Sequence, residues 1–518
     1  MAPVSPYSTA LELGRPQPNH ITNEMDKQRV AAYWTYWDIF RNVPDAYVKV
    51  MREDDDTLSR RLVPSVRTII EATNRYLAKD ITITPQPLVT NPDGTTLQVD
   101  EATMAQVMKL WNDFAAREEF HTKFVSLKRW NLIRGDAILH LLADDTKADG
   151  TKLRVEELDP STYFTIPNPV DPTRLDGVYL VTIVDDDEGE AITQRQEYRR
   201  LETGRIWTQL RFFEIDKWDD RFPLSDGDLE EADVPARFAD SPLIAGYELP
   251  PVIDSLPVYH FRNNRSGSEP FGVSEVQGIE TLLVGINQTA TDEDASIALT
   301  GIGVYVTTSG RPKDDQGVEV DWLIAPASII ELEGVEDKFE RVKGIDSIQP
   351  LLDHTKFLEG QAYRTTATSE VAIGSVDVEV AQSGIALAIQ MSPVLAKNEE
   401  KELELKGKLE QFLYDWVNKW AVAFESVNPM GLSLAVTFGD PLPLDRVAVL
   451  KEITDMLTAK VISIQFAQKL IRERLGYDIP TTMLAEIVAE QQQMLDAVSA
   501  RLDTEAGGGP AGGEPGGA

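Results

Sequence analysis

The sequence predicts an α+β fold, in which helical segments lie on both sides of a long region of strands and turns. Apolar residues on either side of that region recur at spacings of three and four, which is typical of helices with one buried face. Between residues 153 and 259 the pattern mostly alternates, and turn signals such as Asp159-Pro160 interrupt it. With 518 residues the chain can build several hydrophobic cores, so we expect more than one domain.

The first part of the chain is predicted to be mainly helical. Residues 1–22 show no periodicity and are expected to form an N-terminal arm; they have neither the basic start nor the apolar stretch of a secretory signal. Helices are predicted over 60–77, 102–114 and 119–133, and strands over 81–84 and 137–142. A further helical stretch before them carries clustered aromatic side chains, which we assign to core or inter-subunit packing: Tyr33, Trp34, Tyr36, Trp37 and Phe40.

Two acidic runs lie within the strand-rich region. Residues 219–240 contain eight carboxylates and are interpreted as a solvated loop. Residues 185–190 contain five carboxylates, and oxygen ligands of this kind could attract a divalent cation. Their spacing does not match a calcium-binding loop, so no metal site is predicted.

After residue 270 the pattern is helix, short strands, helix, loop and long helix. The first helix is predicted over 272–299, and a second follows over 345–368. A very long helix is predicted over 383–426, with a kink at Pro393 because proline cannot supply the backbone donor of a regular helix. The remaining elements are a strand over 432–438, helices over 445–458, 463–475 and 480–502, and a disordered tail rich in Gly, Ala and Pro.

The search for catalytic chemistry gives no positive signal. There is no cysteine, no two of the five histidines stand at metal-ligand spacing, and neither a GxSxG nor a Walker A sequence is present. His140 and His260 are therefore predicted to be structural. No apolar run reaches the roughly 20 residues that a membrane span needs. We expect a protein without enzymatic activity, cofactor or metal.

The net charge of −35 is the strongest signal in the composition. A protein that holds nucleic acid firmly is usually basic, because its cations release counterions from the phosphates. Two interpretations stay open for this acidic chain. The charge could keep a concentrated protein soluble, or it could form a surface that must not adhere to a polyanion.

Three stretches resemble the centre of the portal proteins of tailed bacteriophages, of the siphophage head-tail connector type. They are PVYHFRNN over 257–264, PFGVSE over 270–275 and IETLLVGIN over 279–287. The order of elements after them is similar as well. The resemblance implies a wing (23–271), a stem helix (272–299), an α/β clip (300–343), a second stem helix (344–368), a tunnel loop (369–382), a kinked helix with the second part of the wing (383–441) and a helical crown (442–502). The disordered tail predicted from composition covers 503–518.

The resemblance also implies a function. Portal proteins form a homo-oligomeric ring of about twelve subunits at one capsid vertex, through which double-stranded DNA is packaged and ejected without sequence specificity. Their partners are the terminase, the head-tail adaptor, and the major capsid and scaffolding proteins; they are found in the virion, and in the host cytoplasm during assembly. Two alternatives stay open: another virion structural or scaffolding protein, or a carboxylate-dependent hydrolase.

Several side chains are candidates for contact with the channel or with partner proteins. An acidic wall would repel phosphates and keep DNA central. The candidate residues are Ser369, Glu370, Ser375, Asp377, Glu379 and Gln382 in the tunnel loop, Glu275, Glu280, Asp292, Glu293 and Asp294 on the stem, facing the channel or the outer rim, and Arg311 and Lys313 at the tip of the clip.

Overall fold

The fold is taken from a computed structural model, whose described part covers most of the chain and separates into two compact units, Met1–Pro441 and Leu442–Ala518. The described residues are 24–43, 61–87, 99–144, 151–171, 174–214, 230–265, 269–302, 304–308, 311, 317–319, 334, 336–342, 348–374, 384–429, 431–439, 446–475, 483, 489 and 492–493.

The first unit is mixed α/β and contains both long helices and small sheets. Its helices are α1 (Glu24–Phe40), α2 (Ser65–Tyr76), α3 (Glu101–Arg117), α4 (Phe120–Arg134), α5 (Pro242–Ala245), α6 (Glu280–Ile302), α7 (Gln349–Thr365), α8 (Gly384–Asp415) and α9 (Ala421–Phe424). Its strands are β1 (Thr82–Pro87), β2 (Asp136–Ala143), β3 (Leu153–Leu158), β4 (Tyr163–Pro167), β5 (Leu175–Asp185), β6 (Ala191–Arg200), β7 (Ile206–Glu214), β8 (Tyr247–Glu248), β9 (Val258–Arg262), β10 (Val304–Thr307), β11 (Phe339–Val342) and β12 (Leu432–Thr437).

The strands form antiparallel sheets. The largest has the order β4-β5-β6-β7-β8, a second has the order β3-β2-β9, and β1-β12 and β10-β11 are two-stranded. In β7 both Phe212 and Phe213 are buried, because side chains cover both faces of the strand there. This double burial explains why two adjacent phenylalanines interrupt the alternation of apolar and polar residues in the sequence of this strand.

The core of the first unit surrounds β2, whose first six residues are all buried. Helix α4 packs on this strand, and an aromatic cluster joins α3 and α4 to the end of α8. The rings of Trp111 and Trp416 meet edge to face with centroids 5.1 Å apart, and Phe120 stacks on Phe412 at 5.9 Å. Edge-to-face and stacked pairs of this kind add stability beyond the area that they bury.

The long helix differs from its prediction at its C-terminal end. Residues Trp416–Trp420 form a π-helical turn between α8 and α9, whereas the sequence predicted one helix to residue 426. The wider turn allows Trp416, Val417 and Trp420 all to be buried. Pro393 lies inside α8 on its exposed side, and the kink expected there stays a prediction.

The predicted stem helix begins later than expected. Helix α6 starts at Glu280 and not at Gly272, so this part of the prediction is wrong. Residues 272–279 form an extended segment and turns, because the backbone of Gly272 packs against that of Gly135 and because Gly278 has a φ of 92°. The helix then continues to Ile302, three residues beyond its predicted end, and the following strand begins at Val304.

The second unit contains two described helices, α10 (Arg446–Thr458) and α11 (Ile464–Leu475), as the sequence predicted. Ile453 and Ala467 are buried between them. The helix predicted over 480–502 has only four described residues, and the arm (1–22) and the tail (503–518) lie outside the described residues. None of the helices in the described ranges is both long enough and apolar enough to cross a bilayer.

Candidate functional site

The segments that resemble portal proteins meet at one place, where α4 ends, β9 ends and the chain enters α6. Gly135 ends α4 with a φ of 88°, and its carbonyl accepts a hydrogen bond of 2.7 Å from the backbone of Asn263. A Cβ on Gly135 would lie 2.8 Å from the carbonyl oxygen of Gly272, and a Cβ on Gly272 would overlap the carbonyl of Gly135. Both glycines are therefore required by direct backbone contact.

A buried carboxylate holds this contact from the side of β2. Asp136 is 1% exposed and accepts hydrogen bonds from the backbone of Gly272 at 2.9 Å and from the hydroxyl of Tyr33. His260 Nε2 lies 2.5 Å from the same carboxylate. Burial, followed by the charge of Asp136, raises the pKa of Tyr33 well above its ordinary value, so this tyrosine stays a hydrogen-bond donor. His260 is thus held beside a buried carboxylate, and its structural role stays a prediction.

The second predicted structural histidine is also buried. His140 is 2% exposed, and its Nε2 lies 2.8 Å from the hydroxyl of Tyr198. Burial lowers the pKa of His140 to about 3, so the ring is neutral at physiological pH. It packs between the two larger sheets and makes a structural contact.

Glu275 lies at the centre of a buried ion cluster. Its Oε1 is 2.6 Å from Lys401 Nζ, and its Oε2 is 3.2 Å from Lys397 Nζ. Burial alone would raise the pKa of Glu275, but the two ammonium groups outweigh it and lower the pKa to about 2. The carboxylate is thus ionised, and it joins the entry to α6 with the middle of α8.

The asparagine pair that ends β9 completes the cluster. Lys401 Nζ donates to the side-chain oxygens of Asn263 at 2.6 Å and Asn264 at 2.5 Å. The amide of Asn264 donates in turn to Glu275 Oε1 at 2.9 Å. Glu275 and Lys401 are buried and their charged atoms have partners close by, which is the condition under which buried charges are tolerated, whereas Lys397 is partly buried and Asn264 is exposed. We call Asn263, Asn264, Glu275, Lys397 and Lys401 the junction cluster.

The junction cluster also contacts the segment that leads into the predicted tunnel loop. Lys397 Nζ donates to the carbonyl of Thr366 at 2.7 Å, just after the last residue of α7, and to Thr73 Oγ1 of α2 at 3.0 Å. Asn398 adds a bond of 3.3 Å to the carbonyl of Thr73. The residues that precede the loop and the helix that follows it are therefore fixed to the same group of side chains.

Helices α6 and α7 pack against each other, and α6 is also attached to the segment before α2. A Cβ on Gly285 would lie 3.2 Å from a methyl group of Leu358, so the absence of a side chain at residue 285 allows α6 and α7 to pack closely. The side chain of Asn287 accepts a hydrogen bond of 2.6 Å from the backbone of Val63 and donates one of 3.0 Å to the carbonyl of Leu283.

The five acidic residues predicted on the stem have different surroundings. Glu275 is buried in the junction cluster, which does not match the expected position facing the channel or the rim. Its distant partners Lys397 and Lys401 explain the difference. The other four lie on α6 and are more accessible: Glu280 accepts from the backbone of Gly278 at 2.7 Å, Asp292 from Gln288 at 3.1 Å and Glu293 from Thr355 at 2.8 Å, while Asp294 pairs with Arg61 at 2.8 Å.

The predicted tunnel loop and clip tip are described only in part. Residues 369–374 form turns, in which Ser369 Oγ accepts from the backbone of Val371 at 3.2 Å and Ala372 is buried. Arg311 is exposed. The other candidates lie outside the described residues: Ser375, Asp377, Glu379, Gln382 and Lys313.

The sequence did not predict the junction cluster as a unit. Asn263, Asn264 and Glu275 lie in the motifs quoted above, but Lys397 and Lys401 stand more than 120 residues later, in the long helix. Their spacing of four residues, which places them on one helix face, was the available signal. Among the described residues, no group of three or more metal-ligating side chains is arranged to hold an ion.

No protein-family model matches the sequence, and no curated protein matches it. Among solved structures, the chain is similar to a chain described as "Virion of native gene transfer agent (GTA) particle", with a TM-score of 0.44 and 11% identity over 92% of this chain and 100% of that one. It is also similar to a chain described as "Neck of native GTA particle computed with C12 symmetry", with a TM-score of 0.43 and 12% identity over 90% and 99%. At these values the overlap establishes neither a shared fold nor a shared function.

Proposed function

We propose that this chain is the portal protein of a tailed bacteriophage. In this proposal it forms a ring of about twelve copies at one capsid vertex, and DNA passes through the ring during packaging and ejection. The ring is also the docking site for the terminase and the head-tail adaptor, within a shell of capsid and scaffolding proteins. It belongs to the virion and assembles in the host cytoplasm.

The observation that carries the proposal is the order of elements in the second half of the first unit. Helix α6, the antiparallel pair β10-β11, helix α7, the segment 366–383 and helix α8 follow one another in the order of a stem, a clip, a second stem helix, a tunnel loop and a long helix. The two helices pack side by side, as a stem requires.

The junction cluster supports the proposal on mechanical grounds. A stem that carries a load along its axis must be fixed at its base, and Glu275 and Asn287 attach the base of α6 to α8 and to the segment before α2. A loop that touches moving DNA must likewise be held by rigid neighbours. Lys397 holds the end of α7 against α8. Packed helices with two firm attachments can pass a force between the loop and the body of the subunit.

The charge of the chain supports the same proposal. Each contact between a cation and a phosphate adds affinity, and affinity slows a strand that must slide. A ring with a net charge of −35 per subunit repels the phosphates instead. Within the proposal, Asp292 on α6 and the loop residues Asp377 and Glu379 line the channel.

The test is an image of the purified protein. Negative-stain electron microscopy should show an annulus with a central hole, and native mass spectrometry should give a ring of about twelve subunits. A monomer that persists at high concentration contradicts the proposal. A compact monomer favours the hydrolase alternative, and a rod favours the scaffolding alternative.

Deletion of residues 369–382 tests the tunnel loop separately. The junction cluster lies outside the deleted segment, so the ring should still assemble. Packaging or retention of DNA should fail, as measured by the fraction of DNA-filled particles. A normal fraction of filled particles would contradict the assignment of this loop.

A further inference from the structure

A groove runs along the outer side of α2 in the first unit. Its wider part is a cleft of about 720 Å³ between α2, the turn before β1 and helix α4. A depression of about 280 Å³ shares Glu71 and Arg75 with this cleft and continues along α2 to Pro64 and Arg67. We call the two parts together the α2 groove.

The α2 groove is cationic, although the chain as a whole has a net charge of −35. Five cationic side chains line it against two carboxylates, and a histidine lies at its edge. The cations are Arg67, Arg75, Lys79, Lys128 and Arg129, the carboxylates are Glu71 and Asp80, and the histidine is His121.

The arginines of α2 are available for a ligand. Glu71 is engaged by Arg129 through two hydrogen bonds of 2.8 and 3.3 Å, so this carboxylate is already neutralised. Arg67 and Arg75 are exposed and have no ion-pair partner among the described residues. A guanidinium group in this situation can bind a carboxylate through two parallel hydrogen bonds.

The floor of the groove is apolar, which narrows the class of ligand. Ile81, Phe124 and Val125 line the wider part, and Val125 is 45% exposed. A DNA duplex has a convex surface and would reach only the rim, where it would also meet the carboxylate of Asp80. An extended peptide segment can place apolar side chains on the floor of the groove and acidic side chains against its cations. Protein interfaces are arranged in this way, with an apolar centre and a polar rim.

We propose that the α2 groove receives an acidic segment of a neighbouring copy of this chain. The inference rests on the proposed ring. Subunits of a ring meet through two different surfaces, so a cationic groove on one copy can face an acidic surface on the next. A ring of copies that each carry −35 repels itself, and a cationic contact at each interface offsets this repulsion. The chain supplies the acidic surface in abundance, with 85 Asp and Glu against 50 Lys and Arg.

The experiment compares two double variants of equal net charge. Arg67→Glu with Arg75→Glu reverses the groove, and Lys109→Glu with Arg174→Glu reverses two exposed cations elsewhere. The groove variant should raise the midpoint concentration of ring assembly at least about tenfold, measured by mass photometry, while the control variant stays near the wild type. Both variants should keep the circular dichroism spectrum of the wild type. Wild-type assembly should weaken as salt rises from about 0.1 M to about 1 M.

Zero-length carbodiimide cross-linking identifies the occupant directly. In rings mixed from isotope-labelled and unlabelled chains, Lys79 should cross-link to a carboxylate of the other chain. Cross-links of Lys79 only within its own chain overturn the inference. An equal loss of assembly in both double variants also overturns it, because the effect is then one of total charge.

The remaining outcomes separate this inference from the proposed function. If the wild type forms no ring, the proposed function fails. If wild-type and groove-variant rings are equally stable, the inference about the α2 groove is wrong and the proposed function is unaffected. If the groove variant forms normal rings but loses affinity for a labelled DNA duplex in fluorescence anisotropy, the groove contacts DNA and the inference is wrong.

Discussion

The carboxylate of Glu275 and the carboxylates of helix α6 lie close together in the sequence, yet one is buried and the others are accessible to solvent. Glu275 is buried and lies within hydrogen-bond distance of Lys401, whereas Asp292 and Asp294 on α6 remain accessible to solvent. An ionised carboxylate in a protein interior destabilises the fold unless cations and hydrogen-bond donors surround it. A carboxylate exposed to water gains little stability from a neighbouring cation. The same residue type therefore fixes the structure at the base of α6 and supplies surface charge along the helix.

The largest effect should come from removing the buried carboxylate. Glu275→Ala leaves the buried Lys401 and the partly buried Lys397 without their counter-ion, and breaking a buried pair in this way costs about 3–5 kcal/mol. The denaturation midpoint of the first unit should fall accordingly. Tryptophan fluorescence in guanidinium chloride measures it selectively, because all nine tryptophans lie before residue 442.

Asp292→Ala is the matched control, since it removes a carboxylate from an exposed position on α6. Its effect on the free energy of unfolding should stay within about 0.5 kcal/mol. Equal effects of the two substitutions would show that the junction cluster has no special role.

The second prediction concerns pH. The pKa of Glu275 is about 2 in the folded protein and 4.5 in an ordinary environment, so the unfolded chain binds this proton more readily. The contribution of Glu275 is therefore complete above about pH 4.5 and is lost as the pH falls from there toward 2. Glu275→Gln should be less stable than the wild type at neutral pH, and the difference should shrink through that interval. A difference that stays constant with pH contradicts an ionised Glu275.

The third prediction concerns the backbone beneath the junction cluster. Gly272→Ala would force a Cβ into the carbonyl of Gly135, so the segment entering α6 must shift. We expect a loss on the order of 3 kcal/mol in the same fluorescence measurement. The shift should also displace Glu275, only three residues further along the chain.

Gly360→Ala is the control for this substitution. Gly360 lies in α7, and an added Cβ would meet no atom within 4 Å. Alanine is the better helix former, so this variant should gain up to about 1 kcal/mol. If Gly272→Ala lowers the free energy of unfolding and Gly360→Ala raises it, glycine is required at residue 272 because of its contact with Gly135. If both substitutions change the free energy of unfolding in the same direction, that explanation is wrong.

Much of the fold could be predicted from local patterns, and the parts that could not depend on distant contacts. Helix α3 and strand β2 were predicted to within a few residues, because their apolar spacing decides between helix and strand. The start of α6 was wrong although Val276 and Ile279 are buried as expected. Burial is compatible with either turns or helix, and the contact of Gly272 decides between them.

The candidate site shows the same limit. The asparagines and Glu275 stood out in the sequence, but Lys401 reaches Glu275 across 126 residues of sequence, which no local pattern records. The π-helical turn at Trp416 was invisible for a related reason. No feature of the local sequence distinguishes a π-helical turn from the α-helix around it, and the aromatic packing around Trp416 selects the wider turn.

The smallest effect should come from the surface pair of α6. Asp294 lies 2.8 Å from Arg61, whose side chain is 63% exposed, and such pairs contribute about 0–1 kcal/mol. Asp294→Asn should therefore lower the denaturation midpoint only slightly. The difference should vanish at about 1 M salt, where surface charges are screened. The loss in Glu275→Ala should persist under the same conditions, because Lys401 is 2% exposed and salt cannot screen its charge there. If the losses of stability in Asp294→Asn and Glu275→Ala both vanish at high salt, the distinction between the buried Glu275 and the surface carboxylates of α6 is wrong.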